Sequence, residues 1–216
     1  MKRIIFYDLD GTLVDTREDI ARAANHMRQQ MGLTALQTSE VSHFVGRGIH
    51  HLIQSCLETG DAKQIEKGFK IYRDHYAKHM LDHSRLYPGA KEVLEFFKKR
   101  KQAVVTNKPN PFSREMLEAL GVAHYFIEII SGNSDYPKKP DPAAILSIMK
   151  KENIGCEAAL FVGDSLIDIE TGRNAGITTA IITHGFGAQN ELQSARPDAL
   201  ARDFKEFLDL AKKEGW

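Results

Sequence analysis

Asp8-Leu9-Asp10-Gly11-Thr12-Leu13-Val14-Asp15 follows directly on Ile4-Ile5-Phe6-Tyr7. The apolar run is short, β-branched and aromatic, and it does not alternate with polar residues. That pattern suits a strand buried on both faces, as in a parallel sheet. Two carboxylates, Asp8 and Asp10, therefore stand where the strand ends and the chain turns, with Gly11 free to let the backbone turn tightly. In open α/β sheets this carboxyl edge is where ligands bind. Two close carboxylates repel one another unless a cation or a shared proton intervenes. Taken alone, the stretch also reads as a strand end and a turn, where Asp and Gly are ordinary residues.

Working outward, residues 16–83 carry helical periodicity. Ile20, Ala23, Ala24, Met27 and Met31 form one apolar face, Ile49, Leu52, Ile53 and Leu57 a second, and Ile65, Phe69, Tyr72, Tyr76 and Met80 a third. The spacing predicts about four helices forming a small bundle, with no strand among them. Asp15 or Thr16 is placed to cap the first helix, with Glu18 completing a capping box. From residue 87 onward strands alternate with helices: Ala103–Thr106, Phe126–Ile130, Ala159–Val162 and Ile177–Ile182 read as strands. A short helix, a loop and a terminal helix from about Asp203 follow. This alternation predicts βαβ units. The fold class expected is α/β, a Rossmann-like parallel sheet core with a small α-helical cap inserted after the first strand. The core would comprise residues 1–15 and 84–216, and the cap 16–83. The basic run Lys98–Lys101 reads as the capped, solvated end of a helix.

Lys plus Arg equals Asp plus Glu at 29 each, so no overall field favours nucleic acid or an anionic membrane. No apolar run is long enough to span a bilayer, and Asp8 and Asp10 come too early for a secretory signal. Cys56 and Cys156 lie far apart and are expected as two buried, reduced thiols. These features place the chain in the cytoplasm, as a monomer or homodimer.

The strand ends concentrate the chemistry. Asp8 and Asp10, Thr106 and Asn107, and Asp164, Ser165 and Asp168 each follow a predicted strand, and Lys139 follows one by a short loop. If those strands are neighbours, the pocket holds four carboxylates, a hydroxyl, an amide and an ammonium. Hard oxygen ligands in such number suit Mg²⁺ rather than zinc. Mg²⁺ with a lysine and a hydroxyl is what a transferring phosphoryl group requires.

Four motifs in this order, each at a predicted strand end, resemble those of the haloacid dehalogenase (HAD) superfamily of phosphohydrolases. Asp8-Leu9-Asp10-Gly11-Thr12 is similar to its first motif, Thr106-Asn107 to its second, Lys139-Pro140 to its third, and Gly163-Asp164-Ser165 through Asp168 to its fourth. Phe44-Val45-Gly46-Arg47-Gly48 resembles the cap loop of the phosphoglycolate phosphatase branch. The resemblance implies a HAD-like fold and a role for each residue. Asp8 would be the nucleophile that forms an aspartyl-phosphate, and Asp10 the general acid and then base. Thr106 and Asn107 would hold the phosphoryl oxygens, and Lys139 would neutralise the phosphate and Asp8. Asp164 would bind Mg²⁺ together with Asp8 and the Asp10 backbone carbonyl, supported from behind by Asp168 and Ser165. The implied substrate is a small phosphorylated metabolite, with 2-phosphoglycolate leading. A halide-removing enzyme does not fit, because Asp10 supplies an acid that chemistry does not need. Tyr7 stands where the family more often has Phe, and Lys138 where a Gly often precedes the motif lysine. Lys139 is preferred to Lys138 because it directly precedes Pro140.

Alternatives stay open. A sugar-phosphate mutase or a pyrophosphatase could use the same scaffold, and a non-catalytic binding module is the competing class. Arg47, between two glycines, could grip a substrate carboxylate or be a solvated loop residue. His75, His79 and His83 are each one helical turn apart, which suits a metal pair or, more simply, a solvated helix face. Phe69, Tyr72 and Tyr76 read as cap core.

Overall fold

A computed structural model describes residues 1–216. Six parallel strands form one sheet: β1 (Ile4–Tyr7), β4 (Lys101–Val105), β5 (Glu128–Ile130), β6 (Ala159–Gly163), β7 (Thr178–Ile182) and β8 (Ala199–Ala201). Their order is β5-β4-β1-β6-β7-β8. The first strand in the chain is thus central, paired with β4 and β6 in parallel register, Tyr7 opposite both Val104 and Val162. Every residue of β1 is fully buried. Its side chains alternate between faces, as the strand period of two requires. Ile5 and Tyr7 join Val104, Leu160, Phe97 and Phe207 on one face. Ile4 and Phe6 join Val105, Phe161, Ile145 and Met149 on the other. Helices α5 (Ala90–Phe96), α6 (Phe112–Ala119) and α10 (Phe204–Lys213) supply the first face, and α7 (Ala143–Glu152) and α8 (Leu166–Ala175) the second.

Between β1 and α5 the chain makes four helices: α1 (Arg17–Gln30), α2 (Thr38–His43), α3 (Ile49–Leu57) and α4 (Ala62–His79). The sheet core runs without interruption into this insert, through Leu9, Leu13 and Val14 to Ile20, Met27, Leu52, Tyr72 and Tyr76. Two polar anchors fix it. Buried Asp19 accepts from the backbone N–H groups of His83 (3.0 Å) and Ser84 (2.7 Å), tying α1 to the returning chain. Buried Arg28 donates to the carbonyls of Thr34 and Cys56. Groups buried in this way need such partners, because an unpaired one would cost about 1–3 kcal/mol.

Several local expectations are corrected. Residues 16–83 hold helices and no strand, as expected, but a two-strand antiparallel ribbon that the sequence did not reveal, β2 (Val14–Asp15) with β3 (Arg85–Leu86), brackets them. Strand β8 occupies part of the stretch expected as loop. Helix α5 ends at Phe96 and Lys101 opens β4, so the basic run is mostly turn. No capping box forms at α1: the Thr16 hydroxyl donates to Asp10 instead (2.8 Å). Cys56 is buried but Cys156 is exposed. The histidines form a column: His75 stacks on His26 of α1 (centroids 4.2 Å apart) and on His79 (4.4 Å), and His79 Nδ1 lies 2.9 Å from Asp82. No helix is long and apolar enough to cross a membrane.

Candidate active site

Register decides what meets at the sheet edge. Because β1, β4 and β6 are neighbours and in step, the residues just beyond them, Asp8, Thr106 and Asp164, emerge side by side. The Asp8 N–H donates to the Val162 carbonyl (3.0 Å) and the Thr106 N–H to Ile130 (3.0 Å), so each is held to the next strand as it leaves the sheet. Lys139 arrives on the loop between β5 and α7, and Asp168 on the first turn of α8. All five are buried.

Lys139 Nζ stands between two carboxylates, 2.8 Å from Asp8 Oδ1 and 2.7 Å from Asp168 Oδ1. The contact with Asp168 is a hydrogen-bonded ion pair, and the Lys139 ammonium is the one group that Asp8 Oδ1 meets. Asp168 is otherwise committed: its Oδ2 accepts from Asp164 N–H (3.1 Å), Ser165 N–H (3.0 Å) and Ser165 Oγ (2.7 Å). Asp168 and Ser165 therefore hold Lys139 and the start of α8 in place. Asp164 accepts one bond per oxygen, from Thr12 Oγ1 (2.6 Å) and Phe186 N–H (2.8 Å), so each oxygen keeps a lone pair for another partner. Gly11 sits at φ +83°, and a Cβ there would come within 2.3 Å of Asp164 Oδ2. The turn after β1 thus needs glycine both for its conformation and for the approach of Asp164.

Carboxylate oxygens of Asp8, Asp164 and Asp168 lie within 4.8 Å of one another. Three carboxylates against one ammonium leave two negative charges in a buried space. Burial first, and then the fields of Asp168 and Asp10, push Asp8 up to about 6 against the pull of Lys139. Burial and the fields of Asp168 and Asp8 likewise raise Asp164 well above the carboxylate range. Burial opposes the Lys139 charge, but Asp168 and Asp8 outweigh it and hold its pKa above the ordinary value. An Asp8 carboxylate met only by Lys139, spare Asp164 lone pairs and an excess of two negative charges fit a divalent, oxygen-seeking cation.

These shifts carry a stability consequence. Folded Asp8 holds its proton up to about pH 6, whereas in the unfolded chain it ionises near 3.8. The folded state binds more protons in that window, so Asp8 costs stability as pH rises through it, by up to roughly 3 kcal/mol above pH 6. In EDTA, Asp8→Asn is expected to melt several degrees above the wild type at pH 7.5, with the gain gone at pH 4. Melting curves at both pH values check this; an Asn variant that is less stable at pH 7.5 would contradict it.

Asp10 faces a second cation. Its carboxylate accepts from Lys108 Nζ (2.9 and 3.3 Å) and Thr16 Oγ1 (2.8 Å). Its side chain is thus turned to Lys108, leaving only its backbone carbonyl for the metal role the motif implies. Lys108 also donates to the hydroxyl of Tyr76 on α4 (2.7 Å). These two residues were not assigned to the site from the sequence. Tyr76 is buried, as its place in the aromatic stripe suggests, but it lines the pocket. The signal for Lys108 was its position directly after Thr106-Asn107. A small cavity lies between the sheet edge and the insert, walled by Asp8, Asp10, Thr106 and Lys108 on one side and by Ile20, Leu52, Tyr72 and Tyr76 on the other.

Two assignments change. Asn107 reaches the pocket, but its amide is spent on backbone: Nδ2 donates to Gly46 (2.8 Å) and Lys139 (3.1 Å) carbonyls, and Oδ1 accepts from Lys139 N–H (2.9 Å). It clamps the Lys139 loop and the insert together instead of presenting its amide to phosphoryl oxygens. Arg47 is exposed and does not line the cavity, although Gly46 and Gly48 do. Gly46 and Gly48 both adopt positive φ, so the loop turns sharply on either side of Arg47. Lys139, not the exposed Lys138, is the lysine in the site.

Residues 4–182 match the family of haloacid dehalogenase-like hydrolases. Among curated proteins, the chain is 36% identical to a phosphoglycolate phosphatase of Vibrio parahaemolyticus, over 96% of this chain and 95% of that one. It is 33% identical to a phosphoglycolate phosphatase of Aliivibrio fischeri, over 95% of each. Among solved structures it superposes on a predicted phosphoglycolate phosphatase from Haemophilus somnus 129PT with a TM-score of 0.92, at 30% identity, covering 97% of this chain and 98% of that one. The parallel sheet, the four strand-end motifs and these relatives agree, and the chain belongs to the haloacid dehalogenase-like hydrolases, where it is similar to phosphoglycolate phosphatases.

Proposed function

We propose that the protein is a Mg²⁺-dependent phosphomonoesterase that hydrolyses 2-phosphoglycolate through an aspartyl-phosphate on Asp8. The observation that carries this is the buried Asp8 carboxylate, which lines the pocket and whose Oδ1 meets only the Lys139 ammonium, while the carboxylates around it are held by other partners. Asp8 and Asp164, with the Asp10 backbone carbonyl, would hold Mg²⁺. The ion supplies charge neutralisation for the phosphate oxygens and for Asp8. Lys139 adds a positive charge on the same side, and Thr106 offers its hydroxyl. The Asp8 oxygen attacks phosphorus and the bond to the leaving alcohol oxygen breaks, with Asp10 giving that oxygen a proton. Water then attacks the phosphorus, Asp10 takes its proton, the bond to Asp8 breaks, and inorganic phosphate leaves. The four helices of the insert would act as a cap that shields the reacting groups from bulk water. The substrate is supported by the names of the curated relatives.

The test is phosphate release from 2-phosphoglycolate, hexose phosphates, nucleoside monophosphates and pyrophosphate, each with Mg²⁺ and with EDTA. Release is expected only with Mg²⁺, with kcat/KM highest for 2-phosphoglycolate. Preference for a hexose phosphate or pyrophosphate would keep the chemistry and overturn the substrate. Release undiminished in EDTA would overturn the metal.

A further inference from the structure

The pocket has two positive poles. Lys139 lies beneath Asp8, enclosed by Asp8 and Asp168. Lys108 lies beside Asp10 and is the one cation among the residues that line the cavity. Its side chain is only 4% exposed, and its charge faces the pocket beside Asp10. It donates to Asp10 and to the Tyr76 hydroxyl, and it also sits 4.7 Å from the centre of the Tyr76 ring. Tyr76 accepts that bond through its oxygen, so its own phenolic proton stays available to another acceptor. Apolar walls surround the pair: Ile20, Val45, Ile49 and Phe112. In such a setting a charge-assisted hydrogen bond is stronger than in water. Arg47, the other candidate for an anion, is turned outside.

Resting on the phosphomonoesterase reading, we infer that Lys108 and Tyr76 form the subsite for a carboxylate on the alcohol side of the substrate. The Lys108 ammonium supplies the charge and the Tyr76 phenol a hydrogen bond. Tyr76 belongs to the insert and Lys108 to the sheet edge, so a carboxylate seated on both links the two. A short substrate anionic at both ends would then engage one cation at each pole. Its phosphate goes to the side of Lys139 and its carboxylate to Lys108. A neutral alcohol of the same size leaves Lys108 with only Asp10 and Tyr76.

The experiment compares steady-state kinetics on 2-phosphoglycolate and on ethyl phosphate, with Mg²⁺, for the wild type, Lys108→Met, Lys108→Arg and Tyr76→Phe. Lys108→Met is expected to lower kcat/KM for 2-phosphoglycolate roughly 10–100-fold more than for ethyl phosphate, chiefly through KM. Tyr76→Phe is expected to move the same ratio about threefold, and Lys108→Arg to keep part of the preference. Equal losses on both substrates would assign Lys108 to holding Asp10 and overturn the inference, while leaving the phosphatase reading intact. A wild type that hydrolyses ethyl phosphate as well as 2-phosphoglycolate would do the same. A wild type that hydrolyses neither would sink the reading beneath it. Should Lys108→Met fail to fold, Tyr76→Phe, which keeps the buried ring, decides. Its affinity for glycolate as a competitive inhibitor must weaken in parallel, and unchanged inhibition would refute the subsite.

Discussion

Asp8→Asn is expected to lower kcat on 2-phosphoglycolate by at least about 10³-fold, with the fold intact. An amide is close to isosteric with the carboxylate but cannot attack phosphorus, and it brings no charge to a divalent cation. The variant gives up the Asp8 ion pair with Lys139 but also removes a buried charge that Asp168 repels, and Lys139 keeps its bond to Asp168. The loss should therefore lie in kcat and not in folding, and circular dichroism of the variant should overlay the wild type. Residual activity within tenfold of the wild type in a clean preparation would remove Asp8 from the nucleophile's role. Mutating Asp10 would not make the same distinction, because its ion pair with Lys108 would break at the same time.

Lys139→Met is expected to cost about 3–5 kcal/mol of stability in EDTA at pH 7.5, as well as turnover. Lys139 is the only cation between Asp8 and Asp168, both within 2.8 Å of it. Without it, three carboxylates share a buried space and must take up protons to remain there. Part of the lost stability should return as pH falls toward 5, since protonation relieves that repulsion. Denaturant unfolding at the two pH values reads both effects. Lys138→Met, at an exposed position beside it, serves as the control and should change stability by less than about 0.5 kcal/mol. Equal effects of the two variants would contradict the place given to Lys139. Arginine is a poor replacement here, because its planar fork does not fit a gap built for a compact ammonium.

The central strand and the meeting of four motifs at one sheet edge were legible in the sequence because both follow from local pattern. Ile4–Tyr7 is apolar without alternation, and three of the motifs stand one step past a strand, with Lys139 on the loop that follows β5. Once β1 lies between β4 and β6, register brings Asp8, Thr106 and Asp164 together. What escaped depends on contacts between distant segments. Lys108 lies next to a quoted motif, but its value comes from Asp10 and Tyr76, 98 and 32 residues away in sequence. The Asn107 side chain looked like a phosphate ligand because its type and position allow that; only the Gly46 and Lys139 carbonyls reveal its amide as a clamp. Arg47 stayed open between a substrate grip and a solvated loop residue, and the structure exposes it. Its neighbours form the pocket, and two positive-φ glycines turn the loop sharply on either side of it. The β2–β3 ribbon and β8 are two and three residues long, too short for alternation to register. Asp15 or Thr16 was expected to cap α1; Asp15 accepts from the Arg17 N–H at 3.3 Å, while the Thr16 hydroxyl is spent on Asp10, a choice made by tertiary structure.

The most direct test of the account is to trap the phosphorylated residue. Wild-type protein mixed with Mg²⁺ and 2-phosphoglycolate is quenched in acid within one turnover, reduced with borohydride and mapped by tandem mass spectrometry. Reduction of an acyl phosphate converts the aspartate side chain to an alcohol, so the account predicts that mass change at position 8 alone, and none in Asp8→Asn or in EDTA. Modification at any other residue, or turnover with no modified residue at all, would contradict it.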